Sequence, residues 1–271
     1  MKKERVDILA FQQGLFDTRE QAKRGIMAGT VYTQKNQRLD KPGEKLPQDI
    51  VLKIIGAQLP YVSRGGLKLE RALEVFDFQV KGKILLDIGA STGGFTDCAL
   101  QNGAKLSYAL DVGYNQLAWK MRQDPRVIVM ERTNFRYCKP ADFTQGRPEI
   151  ATIDVSFISL KKILPTLHPI LTSQGDVMVL IKPQFEAGKN SVGKKGIIHD
   201  PTVHQEVLED IFDFALQENY DLQTASYSPV TGGQGNIEFI AHLKKAEQLG
   251  VNRSDMSVEQ LVAKAHENLD K

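Results

Sequence analysis

Four charged residues interrupt stretches that are otherwise apolar or tightly patterned: Lys68, Asp154, Lys182 and Glu238. Lys68 follows Ser63-Arg64-Gly65-Gly66-Leu67, near the start of a helix. Asp154 closes the apolar run 150–153, and Lys182 ends Val177-Met178-Val179-Leu180-Ile181. Glu238 stands inside Asn236-Ile237-Glu238-Phe239-Ile240, which reads as an apolar edge strand. Taken singly, each is an ordinary surface charge at the end of an element. Taken together, two lysines and two acids make a set that could move a proton. A sugar hydroxyl is a poor acid and needs a base, or a cation that stabilises it as it ionises. Lys182 is assigned to activate the hydroxyl, with Lys68 close enough to make two positive charges at one place costly. Asp154 and Glu238 would orient the lysines and offset their desolvation.

What such a proton transfer would serve is suggested by Leu86-Asp87-Ile88-Gly89-Ala90-Ser91-Thr92-Gly93-Gly94-Phe95-Thr96-Asp97. This segment follows an apolar strand and opens a helix, the setting of a nucleotide-type loop, where glycines let the backbone turn sharply and approach a ligand. Ser91 occupies the place where a dinucleotide loop needs its second glycine, and no Gly-Lys-Ser/Thr follows to make a phosphate loop. Asp87 before the first glycine can meet a cationic amino group or a bridging water. Asp111, at the end of the next strand, can accept from ribose hydroxyls. An acid, a glycine loop and a second acid suit S-adenosylmethionine, which carries adenosine and an amino acid but no phosphate. The expected cofactor contacts are Asp87, Gly89, Ala90, Ser91, Gly93, Gly94, Phe95 and Asp111.

These residues must be held by two regions with different patterns. Residues 1–57 read as a small α+β domain, with helical spacing at Val6, Leu9 and Ala10 and a second helix capped by Thr18 with Gln21 in the capping-box position. Gly29 ends that helix, and strands are expected at 31–33 and 50–54. Arg5, Arg19, Lys23, Arg24, Lys35 and Arg38 give this region a local basic excess that the whole-chain charge hides, and they are candidate RNA contacts together with Arg64. After a linker at 58–63, residues 64–245 alternate strands with helices, the pattern of a doubly wound, mostly parallel sheet. Strands are expected at 84–87, 106–111, 127–130, 150–155 and 177–182. Helices are expected at 95–101, 115–121, 159–171 and 201–219. A final antiparallel pair at 222–228 and 236–243 would form one edge, and 246–271 reads as a helical extension with Val258, Leu261, Val262 and Ala265 on one face. The segment 186–196 is rich in glycine and lysine, and reads as an RNA-contacting lid in which Lys189, Lys194 and Lys195 meet phosphates.

Composition narrows the alternatives. The chain has 271 residues, 41% hydrophobic and 25% charged, with a net charge of +2, as in soluble globular proteins. No run of about 18 apolar residues is present to span a membrane. The amino-terminal residues lack the long apolar core of a secretory leader, and a cytoplasmic setting is expected. Five histidines show no metal spacing and the two cysteines, Cys98 and Cys138, form no C-x-x-C pair, so no metal is required. Amino-group methylation of a base usually uses an Asp/Asn-Pro-Pro-Tyr/Phe segment where Asp154-Val155-Ser156-Phe157 stands. Carbon-5 methylation needs a nucleophilic cysteine, a role for which neither cysteine has the context. A non-catalytic RNA-binding assembly factor is the remaining alternative.

The glycine loop with Asp111, the order Lys68, Asp154, Lys182, Glu238 and the basic first region resemble the TlyA family. So do Tyr61-Val62-Ser63-Arg64-Gly65-Gly66-Leu67-Lys68-Leu69-Glu70, Asp154-Val155-Ser156-Phe157-Ile158-Ser159-Leu160 and Lys182-Pro183-Gln184-Phe185-Glu186. That resemblance implies an S4-type RNA-binding domain joined to a methyltransferase domain similar to FtsJ/RrmJ, a Rossmann-like fold with a seven-stranded sheet. It implies Lys68, Asp154, Lys182 and Glu238 as a K-D-K-E tetrad for ribose 2′-O-methylation, with ribosomal RNA or a ribosomal subunit as partner and cytidine as the nucleoside in some members. The family also carries a haemolysin label.

Overall fold

A computed structural model describes residues 3–16, 18–27, 29–55, 59–188, 193, 196–232 and 235–269. The chain divides into two compact units, Met1–Leu59 and Pro60–Lys271.

In the first unit, strand β1 (Lys3–Arg5) leads directly into helix α1 (Val6–Gln12), and α2 (Arg19–Met27) is followed by β2 (Val31–Thr33), β3 (Lys45–Pro47) and β4 (Leu52–Ile54). β1 pairs antiparallel with β3, and β2 with β4. The strands β1 and β3 are three-residue, charge-bearing segments without a readable alternation. The expected strand at 50–54 begins only at Leu52. The capping box of α2 forms: Gln21 N–H donates to Thr18 Oγ1 at 3.1 Å and Thr18 N–H donates to Gln21 Oε1 at 3.1 Å. Val6, Leu9, Ile26, Val31, Leu39 and Leu52 form the centre of a small apolar core.

The second unit is a seven-stranded sheet covered by helices. In chain order it contains α3 (Gly65–Val75), β5 (Ile84–Ile88), α4 (Gly94–Gln101), β6 (Leu106–Leu110), α5 (Trp119–Gln123), β7 (Val127–Met130), β8 (Ile150–Ile153), α6 (Leu164–Ile170), β9 (Asp176–Ile181), α7 (Pro183–Glu186), α8 (Pro201–Gln217), β10 (Tyr220–Tyr227), β11 (Phe239–Lys245) and α9 (Val258–Leu269). The strand order is β10-β11-β9-β8-β5-β6-β7. Neighbours from β9 to β7 run parallel, while β11 is antiparallel to both β9 and β10. Successive residues of one strand serve opposite faces: Leu86, Ile153 and Val179 pack in one core, whereas Leu85, Met178 and Leu180 pack in another. Burial on both faces is why these strands read as continuous apolar runs.

Two expectations shift here. Glu238 does not lie within an edge strand; it immediately precedes β11, which is interior, and β10 is the edge. The helices expected at 115–121 and 159–171 start late. Asn115 has φ +58°, and residues 160–162 form a separate 3₁₀ turn before α6 begins at Leu164. The terminal helix α9 buries Leu261, Val262 and Ala265 against α8 and β10.

Strand order reverses at β5. The chain runs outward through β6 and β7, then crosses back to place β8 on the other side of β5. Open α/β sheets bind ligands beyond the carboxyl ends of their strands at such a point. Gly89 and Asp154 both sit there.

Candidate active site

The loop leaving β5 turns by left-handed backbone at Gly89 (φ +84°), Ser91 (φ +48°) and Gly93 (φ +93°). At Gly89 a Cβ would stand 2.3 Å from the carbonyl oxygen of Asp154, so only glycine lets this loop pass beneath the end of β8. At Gly94, the first residue of α4, a Cβ would stand 2.3 Å from Ser63 Oγ. Both acids expected to meet a ligand also brace the loop. Asp87 is 1% exposed; its Oδ2 accepts from Thr96 N–H (3.1 Å) and Thr96 Oγ1 (2.7 Å), and its Oδ1 accepts from Thr152 Oγ1 (3.1 Å). Burial pushes the Asp87 carboxyl up to about 6, with the Asp154 charge adding to the rise and the Thr96 and Thr152 bonds opposing it. Asp111 accepts from Ser91 N–H at 2.8 Å and from Gly113 N–H at 2.7 Å.

The four sequence-assigned residues come together beside this loop in one cleft of about 320 Å³, whose walls also include Arg64, Ser91 and Gly232. Lys68, on the first turns of α3, donates to Glu238 Oε2 at 2.6 Å and lies 3.7 Å from Asp154 Oδ2. Lys182, at the end of β9, lies 2.5 Å from Asp154 Oδ1 and donates to Ser156 Oγ at 3.0 Å. The result is a chain Glu238–Lys68–Asp154–Lys182 in which each lysine has a carboxylate. Lys68, Lys182 and Glu238 are buried and Asp154 is half-buried. Charges withdrawn from water in this way persist only when paired. Gly232 makes room for the chain: a Cβ there would stand 2.1 Å from Glu238 Oε1.

Three features were not singled out as functional from the sequence. Ser156 adds a hydroxyl to the partners of Lys182. Thr96 and Thr152 hold Asp87. Phe157 combines a left-handed backbone (φ +62°) with 92% exposure. That conformation costs a non-glycine residue roughly 1–2 kcal/mol, and the ring is not buried in compensation. Its neighbour is Phe185, with ring centroids 4.9 Å apart, and Lys182 Nζ lies 5.9 Å from the centroid of that second ring. An apolar residue in the loop after a strand gives no sign in the sequence that it faces solvent.

The candidate RNA contacts fall into separate settings. Arg64 is exposed on the cleft wall. In the first unit Arg5 and Arg19 both bond to the buried Asp7, at 2.9 and 2.8 Å. Burial would raise the Asp7 carboxyl, but the two guanidinium groups outweigh it and hold the group below its usual range. Lys23 pairs with Glu20 at 2.6 Å, Arg38 with Asp40 at 2.7 Å, and Lys35 is exposed. Lys189, Lys194 and Lys195 lie outside the described residues, as does the side chain of Arg24. Among the described residues no group of three or more His, Cys, Asp or Glu could hold a metal, and no helix is long and apolar enough to cross a membrane.

Residues 61–245, which carry the whole cleft, match the FtsJ-like methyltransferase family. A Bacillus subtilis (strain 168) protein provisionally named rRNA methyltransferase YqxC is 60% identical over 270 residues, spanning 99% of this chain and 96% of its own. The 16S/23S rRNA (cytidine-2′-O)-methyltransferase TlyA of Mycobacterium tuberculosis (strain ATCC 25618 / H37Rv) is 39% identical over 244 residues, 90% of each chain. A solved structure from Streptococcus thermophilus, provisionally named a hemolysin, superposes with a TM-score of 0.80 at 55% identity, covering 100% of this chain and 98% of that one.

Proposed function

Because the chain belongs to the FtsJ-like methyltransferase family, we propose that it transfers a methyl group from S-adenosylmethionine to a ribose 2′-hydroxyl of ribosomal RNA, with cytidine as the nucleoside. The observation that carries this reading is the paired chain Glu238–Lys68–Asp154–Lys182 beside a glycine loop braced by two acids.

The loop suits the cofactor by its donor set. Residues 89–95 carry no cation to bind phosphate, while Asp87 and Asp111 offer anionic oxygens. A carboxylate has about four acceptor positions, and three at Asp87 are taken by Thr96 and Thr152, which leaves capacity for an ammonium group or a bridging water. Asp111 is placed to accept from ribose hydroxyls after bracing Ser91. When bound, S-adenosylmethionine supplies a methyl group already made electrophilic by its positive sulfur.

The protein's part is alignment and proton transfer. Lys182 faces the acceptor ribose: as the neutral amine it takes the 2′-hydroxyl proton while the oxygen attacks the methyl group, and it becomes an ammonium as the transfer completes. Asp154 and Ser156 fix its ammonium group, Glu238 fixes Lys68, and Lys68 supplies the second positive charge at the developing oxyanion. The exposed Phe157 ring offers a face on which a nucleobase can stack. The RNA-binding, S4-like part is residues 1–57, within the first unit. Arg5, Arg19, Lys23, Arg24, Lys35 and Arg38 there, with Arg64, Lys189, Lys194 and Lys195, meet phosphates and set affinity rather than sequence choice. Such an enzyme works where ribosomes are made, in the cytoplasm.

The test is incubation with labelled S-adenosylmethionine and ribosomal subunits, followed by nuclease digestion and mass spectrometry of the nucleosides. A 2′-O-methylated nucleoside that disappears with Lys182→Ala is expected, with a loss on the order of 10²–10⁴-fold for a group acting in proton transfer. A methylated base would discard the tetrad mechanism. Cofactor binding with no transfer to either subunit would favour the RNA-binding assembly factor.

A further inference from the structure

Lys182 is followed by Pro183-Gln184-Phe185-Glu186, the short helix α7, whose last residue has no part in the proton chain. Glu186 Oε1 accepts the backbone N–H of Leu160 at 2.9 Å. Leu160 opens the 3₁₀ turn capped by Ser159, where the loop leaving β8 ends. The other oxygen, Oε2, is buried without a hydrogen-bond partner among the described residues. Burial raises the Glu186 carboxyl above its ordinary range, against the opposing effect of Ser159, the Leu160 amide and the Lys161 charge. A half-buried acid committed to a backbone N–H costs desolvation that an apolar side chain would not.

What it holds explains the expense. Between β8 and Leu160 the chain carries Asp154, Ser156 and Phe157. At its start this loop is anchored by Asp154 N–H to the Ile88 carbonyl, 2.9 Å, and by the Asp154–Lys182 pair. Phe157, left-handed and exposed, would relax to ordinary backbone if the far end came loose. The bond from Leu160 to Glu186 supplies the far anchor, and it ties the loop to the same helix that places Phe185 against Phe157. Two strand-end loops, each bearing a member of the proton chain, are thereby locked to one another at both ends.

We propose that Glu186 is a positioning residue for the methyl transfer: by accepting the Leu160 N–H it holds the strained Ser156–Phe157 turn against Lys182 and Phe185. The inference rests on the 2′-O-methyltransferase reading. Glu186 touches no reacting atom and acts through Ser156 and Phe157.

The experiment compares wild type, Glu186→Gln and Glu186→Ala. It measures kcat and KM for methyl transfer to subunits, S-adenosylmethionine affinity by calorimetry, and the rate of chymotrypsin cleavage after Phe157 relative to other sites. Glu186→Ala is expected to lower kcat 10- to 100-fold, leave cofactor affinity within twofold and speed cleavage after Phe157 several-fold. Glu186→Gln, whose amide oxygen can also accept the Leu160 N–H, is expected to restore wild-type cleavage and most of kcat. Wild-type kcat in Glu186→Ala overturns the proposal. So does a fall in cofactor affinity parallel to the fall in kcat, which would mark general damage to the fold, and so does a Gln variant as impaired as Ala. If wild type methylates no ribose, the functional reading fails by itself. The cleavage rates then still decide the anchor: unchanged cleavage in Glu186→Ala removes it.

Discussion

Replacing Asp87 with asparagine should make the protein more stable while weakening its hold on the cofactor. The side chain is 1% exposed and its carboxyl is pushed from an ordinary 3.8 to about 6, chiefly by burial. An acid whose folded value is raised favours the folded state most below about 3.8, and that advantage is lost as pH rises through about 6. At 1.36 kcal/mol per pH unit, the difference makes the charged carboxylate at pH 8 costlier than a neutral group by roughly 3 kcal/mol. Asparagine keeps the shape and removes the charge. Its oxygen can still accept from Thr96, but its NH₂ must donate where Thr152 now donates, so part of the gain is forfeited and about 1–3 kcal/mol should remain. Urea unfolding of both proteins at pH 5 to 8, without cofactor, measures this. The stability difference should be smallest at pH 5 and grow with pH. Calorimetry should show S-adenosylmethionine affinity lowered at least tenfold, about 1.4 kcal/mol. A variant less stable than wild type at pH 8, or a difference that does not change with pH, would refute the reasoning.

Other perturbations separate the parts of the site. Gly232→Ala drives a Cβ toward Glu238 Oε1; turnover should fall roughly tenfold or more as Lys68 loses its partner, read by methyl-transfer kinetics alongside a melting curve that stays near wild type. In the first unit, Asp7 is held below its usual carboxyl range by Arg5 and Arg19. Its contribution is present above about 3.8 and is lost as pH falls through the depressed value, so amide-exchange protection in α1 should drop in that acid window and show no such step in Asp7→Asn. Replacing Lys189, Lys194 and Lys195 together with alanine should reduce the slope of log affinity against log salt by up to about 3 for RNA binding; an unchanged slope removes these lysines from the phosphate contacts.

Much of the second unit is legible in the sequence because its strands are buried on both faces and its ligand loop is punctuated by glycine. The runs at β5, β8 and β9 are apolar without alternation, and Asp154 and Lys182 mark where they leave the core. What is illegible follows from contacts made far along the chain. Nothing local to Gly89 reveals that Asp154 lies over it, and nothing in Asp87 reveals that Thr96 and Thr152 occupy most of its oxygens. β1 and β3 are too short and too charged to show a strand period. Asn115 looks compatible with a helix start, yet its left-handed backbone delays the helix to Trp119. Phe157 reads as one more apolar residue because the strain and exposure that set it apart are properties of the folded turn.

The insertion of β11 between β9 and β10 has a consequence for the order in which activity arises. Lys68 finds Glu238 170 positions later in the chain. During synthesis the glycine loop, Asp154 and Lys182 can all emerge and fold before the segment that completes the chain of charges exists. The last interior strand must then be laid beside β9 with every backbone bond antiparallel, a non-local closure that cannot begin until that strand has been made. A nascent chain that has not reached this strand carries Lys68 without its closest counter-charge, and it can hold a donor without a complete apparatus to use it. Competence for transfer therefore waits on the segment that brings Glu238 to Lys68.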